Sequence, residues 1–150
     1  MIYREATIED VFPQGLGLVT AGMAEVNLGE DPVCEASALR TMYRLVDDPN
    51  CLVAVAEDRG RLVGVVVASV SQSLFSNSTY TTLHVWYVLP EVRGSLAGYR
   101  LARIYRDWAL LVGAKTAYCD VNSCVNNELA GRMVERLGFR RIGDAYKAVF

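Results

Sequence analysis

The chain is poor in the residues that build metal centres. It has a single histidine, and its four cysteines, Cys34, Cys51, Cys119 and Cys124, include no CxxC pair. Zinc needs three or four such ligands in close array, so no metal site is expected and the thiols read as reduced, mostly small core residues. Long apolar runs are missing too. The longest near-continuous one, Leu62 to Val70, is broken by Ser69, far short of the roughly 20 residues that span a bilayer. The opening Met1-Ile2-Tyr3-Arg4-Glu5 lacks the charged-then-apolar plan of a signal peptide. Charge of one sign is scarce: 15 basic residues meet 17 acidic ones, for a formal net charge of −2. Non-specific nucleic-acid binding needs a net basic face, so that class is set aside. What remains, at 150 residues with 52% hydrophobic and 21% charged side chains, is the balance of one globular domain over 1–150. A cytoplasmic location is expected for it.

The chain reads as alternating strands and helices without repeats. Ile2 to Glu5 is a short strand, and Thr7 with Asp10 has the form of a capping box. Ile8 to about Asn27 is helical but interrupted by Pro13, Gly15 and Gly17. A helix from Pro32 or Val33 to Val46 ends before Pro49. Cys51–Glu57, Leu62–Val70 and Thr79–Leu89 are strands, with a loop over Ser71–Ser78. Leu101, Ile104, Tyr105, Trp108 and Leu111 form a helical stripe closed by Gly113. Lys115–Val121 is a strand. Asn126 or Asn127 then caps a helix with Ala130, Met133, Val134 and Leu137 on its apolar face and Gly138 as its stop. Phe139 to Phe150 is expected to hold one or two short strands. Three consecutive strands joined by short turns are antiparallel neighbours, and the strand–helix–strand unit after them implies a parallel pair. The expected class is α+β: a mixed, mostly antiparallel sheet with helices on both faces.

The segment with the most chemistry is Val88 to Tyr99. A strand stops at Pro90, and a loop with Gly94 and Gly98 feeds a helix N-terminus, where backbone N–H groups are unpaired and the helix dipole is positive. Arg93 adds a fixed charge suited to phosphate. The arrangement fits an anion, and a pyrophosphate is the expected one; a plain strand-to-helix turn is the other reading. Neither GxxxxGK nor GxGxxG is present.

These residues resemble the GNAT superfamily of acyl-CoA-dependent N-acetyltransferases. Its signature is V-x-P, then (Q/R)-x-x-G-x-(G/A), then a helix; this chain offers Val88-Leu89-Pro90 and Arg93-Gly94-Ser95-Leu96-Ala97-Gly98. Asn127-Glu128-Leu129-Ala130, Leu137-Gly138-Phe139 and the opening Tyr3-Arg4-Glu5-Ala6-Thr7 with Asp10 are similar to the family's later and earlier motifs. Leu96 stands where the signature has its middle glycine, and Val134 where many members have a general-acid tyrosine. The resemblance implies acetyl-CoA as cosubstrate, held between the strand ending at Val88 and the next strand, where the two splay apart. Trp86, Tyr87, Val88, Arg93, Gly94, Ser95, Leu96, Ala97, Gly98 and Asn127 are the implied cofactor contacts, with a backbone N–H near Trp86 or Tyr87 polarising the thioester carbonyl.

An amine that attacks a thioester must first lose a proton. Many members place a glutamate where this chain has Thr82. His84 lies two residues on and shares that face, so it is the candidate base; a histidine merely packed in the sheet is the alternative. Tyr146 is a candidate acid, with Ser123, Cys124, Tyr99, Tyr118 and water also open. Arg100 and Arg103 read as a solvated face or as phosphate contacts. Glu25, Glu30, Asp31 and Glu35 lie where the family borders its acceptor, and would suit a cationic amine. The expected partner is a small-molecule amine or a peptide or protein amino group, and a homodimer is left open. The expected function is acetyl transfer to a primary amine. A GNAT-like module that binds CoA or a protein without turnover is the alternative, and a structural subunit the third.

Overall fold

The computed structural model describes residues 1–26, 32–123 and 125–148. Glu30, Asp31 and Cys124 therefore lie outside the described residues. Five strands form one sheet in the order β1-β2-β3-β4-β5: Ile2–Glu5, Cys51–Asp58, Arg61–Gln72, Thr79–Val88 and Thr116–Cys119. The first four are antiparallel neighbours, and β4 and β5 run parallel. The expected class holds, with a parallel pair following the antiparallel strands. No helix among the described residues is long and apolar enough to cross a membrane.

One face of the sheet carries α1 (Ile8–Asp10), α2 (Leu16–Glu25) and α3 (Glu35–Asp47). The Thr7 N–H donates to the Asp10 carboxylate at 2.7 Å, closing the capping arrangement read from the sequence. The break comes at Phe12, which is extended (φ −134°, ψ 136°) because Pro13 follows it. Gly15 allows the next turn to close: a Cβ there would lie 2.6 Å from the Asp10 carbonyl oxygen and 2.8 Å from Met42 Cε. Arg4 locks this corner, donating to Asp10 at 2.6 Å and to Glu57 at 2.7 Å. That ion pair holds the Asp10 carboxyl down at about 2.

The other face carries α4 (Ala97–Leu111). Its buried stripe is Leu101, Ala102, Tyr105 and Ala109, with Ile104 and Trp108 half-buried beside it. Leu111 does not belong to the stripe; it is 85% exposed, since the helix ends there and Gly113 turns the chain away at φ +72°. The core between the layers is mainly aliphatic, with Leu52, Ala54, Val55, Leu62, Val63 and Val66 all nearly inaccessible. A buried polar pair serves it: Tyr105 donates its hydroxyl to the Tyr118 carbonyl at 2.7 Å and lies 3.1 Å from Thr81 Oγ1. These bonds tie α4 to both β4 and β5. Burial pushes the Tyr105 hydroxyl up to about 12.

Three expectations need correction. β3 runs through Gln72, so the loop is shorter than Ser71–Ser78; Gln72 still pairs with Thr79 across the hairpin. β5 is shorter than expected, Thr116–Cys119, because its only partner bends away beyond Leu83. Residues 139–148 hold no strand. Phe139 stacks on the Tyr105 ring, but Ile142 and Tyr146 beyond it are 74% and 92% exposed and are not drawn onto the sheet. After β5, α5 (Asn127–Arg136) follows a left-handed Asn126 (φ 50°) that makes no side-chain cap, and Gly138 (φ +92°) ends the turn after it.

Candidate active site

The site begins as a defect in a sheet. β5 pairs with β4 only from Tyr80 to Leu83. β4 continues to Val88 with β3 on one side and, among the described residues, no strand on the other. The divergence coincides with a β-bulge: Val67 faces Val85 and Ala68 faces Leu83, which leaves His84 as the extra residue. A bulge bends its strand and increases the local twist, and this one lies where the parallel pair parts.

Alternation sets which main-chain groups line the open side. The Leu89 N–H donates to the Val63 carbonyl at 2.9 Å, so Leu89 and Tyr87 face β3 while Val88 and Trp86 face the notch. Of the two donors considered for a thioester carbonyl, it is therefore the Trp86 N–H that faces the opening and the Tyr87 N–H that does not. The side chains divide in the opposite sense between the layers. The Trp86 indole N–H donates to the Gly98 carbonyl at 3.0 Å, pinning β4 to the start of α4. The Tyr87 ring packs on the other layer, 3.4 Å from where a Gly22 Cβ would lie.

The loop between β4 and α4 follows from its residues. Pro90–Val92 makes one tight turn. Gly94 takes φ +87°, a left-handed conformation that favours glycine. Ser95 Oγ donates to the Val92 carbonyl at 2.7 Å and accepts from the Ala97 N–H at 3.2 Å. Leu96 is 62% exposed, so its side chain does not fill the loop, and the first-turn N–H groups that follow have no intrahelical acceptors. A Cβ at Gly98 would lie 3.7 Å from Trp86 and 3.9 Å from Met133, ordinary contact distances.

Arg93 is engaged within the protein. It donates to Glu25 at 2.5 and 2.6 Å and to the Val88 carbonyl at 3.0 Å, with its guanidinium 5.6 Å from the Tyr87 ring centre. Tyr87 adds a hydroxyl bond to the same carboxylate at 3.1 Å. The Arg93 bond holds the Glu25 carboxyl below its usual range, and desolvation, then Glu25, raises Tyr87. The sequence signal for Glu25 was only its place among four carboxylates; nothing in it named Arg93 as the partner.

His84 is exposed, with Nε2 2.7 Å from Ser69 Oγ. Ser69 is the register partner of Thr82, so His84 does share that face. Ser69 itself carries no local sequence signal. Tyr146 is 92% exposed on the irregular 139–148 segment, which leaves it without a packed position near His84. Tyr118 is half-exposed, stacked edge-on with Tyr80. Cys119 is half-buried and desolvation pushes its thiol up to about 11, unsuited to a nucleophile. Arg100 lies over the Tyr3 ring at 5.3 Å and Arg103 pairs with Asp107, as on a solvated face. Val134, at the position of the family's tyrosine, is buried in the helix layer.

The residues present fit a CoA-like ligand by one further observation. Asn127 Oδ1 at the start of α5 is buried without a hydrogen-bond partner among the described residues. A buried acceptor left unmade costs free energy, and an amide N–H of a pantetheine arm is a suitable donor for it.

The site is thus a mixed sheet whose parallel pair splays beside a glycine-bearing loop and a helix N-terminus. The chain belongs to the GNAT acetyltransferase family, which it matches over residues 21–139. No curated protein matches it. Among solved structures it is similar to an aminoglycoside acetyltransferase from an uncultured soil metagenomic sample, with 12% identity over 99% of this chain and 95% of that one and a TM-score of 0.77. The aminoglycoside 6′-N-acetyltransferase of Acinetobacter haemolyticus shows 21% identity over 100% of this chain and 98% of its own, with a TM-score of 0.69. A transcriptional regulator from Bacillus halodurans shows 20% identity over 99% of both chains, with a TM-score of 0.74. At these identities the likeness is one of fold.

Proposed function

We propose that the protein is an N-acetyltransferase that moves an acetyl group from acetyl-CoA to a primary amine of a small molecule. The observation that carries this is the open edge of β4, where Trp86 and Val88 present main-chain groups beside the Gly94–Gly98 loop. Acetyl-CoA supplies the activated thioester. The first-turn amides of α4 and the Gly94–Gly98 loop bind its pyrophosphate, and Asn127 accepts a hydrogen bond from its arm. The Trp86 N–H is placed for the charge that develops on the carbonyl oxygen. His84, the extra residue of the bulge and hydrogen-bonded to Ser69, takes the proton of the attacking amine; the tetrahedral adduct then expels the CoA thiolate, which takes a proton from water. Two of the similar structures are aminoglycoside acetyltransferases, which supports a small cationic amine as acceptor.

Thiol release from acetyl-CoA, followed across a panel of aminoglycosides, polyamines and amino acid amides, tests the reading. Amine-dependent release that saturates in both reactants is expected. A second reading, binding without turnover, is favoured by Thr82 and the buried Val134 at the positions of the family's usual base and acid. It is the outcome if CoA binds and no amine releases thiol.

A further inference from the structure

Arg93 is the only cation of the β4–α4 loop, and its side chain is turned back onto Glu25 at the end of α2. Both guanidinium Nη atoms meet the two carboxylate oxygens, and Nε covers the Val88 carbonyl, one of the groups facing the notch. The carboxylate is fixed from a third direction by the Tyr87 hydroxyl. This is bidentate geometry between elements far apart in the chain, with the two side chains 36% and 27% exposed. A planar guanidinium recognises carboxylate and phosphate by the same paired donors, so the two anions compete for one fork.

We propose that Glu25 is an internal competitor of the cofactor's diphosphate for Arg93, and that the pair is a latch which CoA opens. The proposal rests on the reading that the loop takes CoA. With the latch closed, α2 is strapped to the loop, and the Val88 carbonyl is covered. A diphosphate at the start of α4 draws the guanidinium away. This frees the Val88 carbonyl for the pantetheine arm and leaves Glu25, still held by Tyr87, as an uncompensated carboxylate at the end of α2. Cofactor affinity is thereby set below what the loop alone provides.

Calorimetric titration of CoA into the full-length protein decides this. Glu25→Gln removes the competitor's charge and is expected to tighten CoA binding about 5-fold, the equivalent of about 1 kcal/mol for an exposed but bidentate pair. Arg93→Gln is expected to weaken binding. In the Arg93→Gln background, adding Glu25→Gln should have no effect. Glu91→Gln makes the same charge change on the same loop, at a residue paired with Arg61 at 3.0 Å, and is expected to tighten binding less than 2-fold. If Glu25→Gln does not fold, Tyr87→Phe removes one anchor of the carboxylate and should still tighten binding measurably. The latch is overturned if Glu25→Gln weakens or leaves the affinity unchanged, or if it tightens binding equally without Arg93, which would be a general field effect. If the wild-type protein binds no CoA, the functional reading fails together with the latch; if it binds and the variants do not move as stated, the latch alone fails.

Discussion

Asn127 offers a prediction in which stability and affinity move in opposite directions. Its Oδ1 is buried and has no partner among the described residues, and an unmade hydrogen bond of this kind costs about 1–3 kcal/mol. Asn127 is also the first residue of α5, where alanine has better helix propensity than asparagine. Asn127→Ala deletes the orphaned acceptor and opens only a small space at a half-buried position. The cofactor-free protein should gain about 1 kcal/mol, which for a domain of this size is about 2–4 °C in melting temperature. The same substitution removes the acceptor offered to the pantetheine arm. A neutral hydrogen bond is worth about 0.5–1.5 kcal/mol net, so CoA should bind up to about tenfold more weakly. Differential scanning fluorimetry with and without saturating CoA measures both quantities on one sample. The expected result is a higher melting temperature alone and a smaller upward shift with CoA. A lower melting temperature with an undiminished CoA shift would show that Asn127 is a structural residue of α5 and that its oxygen finds a partner within the protein.

Other substitutions separate chemistry from architecture. His84→Gln should lower kcat by about 10²–10⁴-fold with CoA affinity unchanged, and the variant's pH–rate profile should lose a limb present in wild type; an unaltered kcat and profile would return His84 to a packing role. Ser69→Ala should lower kcat less than His84→Gln does, and if the two have equal effects Ser69 does more than orient the ring. Tyr105→Phe removes the bonds to the Tyr118 carbonyl and Thr81. It should destabilise the protein by about 1–3 kcal/mol in urea titrations through the acceptors left unpaired, and a neutral result would show that β5 does not depend on that hydroxyl. Asp10, whose carboxyl is lowered from 3.8 to about 2 mainly by Arg4, contributes stability that is fully present above pH about 4. That contribution is lost as the pH falls through 2. Asp10→Asn should therefore cost about 1–2 kcal/mol at neutral pH and flatten the acid limb of the stability profile, and an unchanged acid limb would remove the Arg4 pair from that role.

The elements were legible in the sequence wherever local chemistry decides them. Thr7 and Asp10 marked a helix start, Pro13 its break, and Pro90 the end of β4, because capping and proline geometry act over three or four residues. The notch was legible only through the order of strands and the V-x-P signature. The bulge at His84 was not, because it arises from how β4 matches β3, and no residue in Leu83-His84-Val85 announces a register shift. Arg93 shows the same limit. Its charge and place beside the loop were evident, while its actual partner, Glu25, is 68 residues away and depends on where α2 ends. The strands expected after Phe139, around Gly143-Asp144, do not form over residues 139–148; strand formation needs a half-buried pleated surface to fit, and local sequence does not say whether a neighbouring edge supplies one.

The central claim is that the opening between β4 and β5 receives acetyl-CoA. Amide chemical-shift mapping of the full-length protein during titration with CoA tests it most directly. The amides of Trp86, Val88, Gly94 to Tyr99 and Asn127 should shift together and saturate at one equivalent, while those of β1 stay in place. Saturable shifts confined to other residues, or no shifts at millimolar CoA, would contradict it.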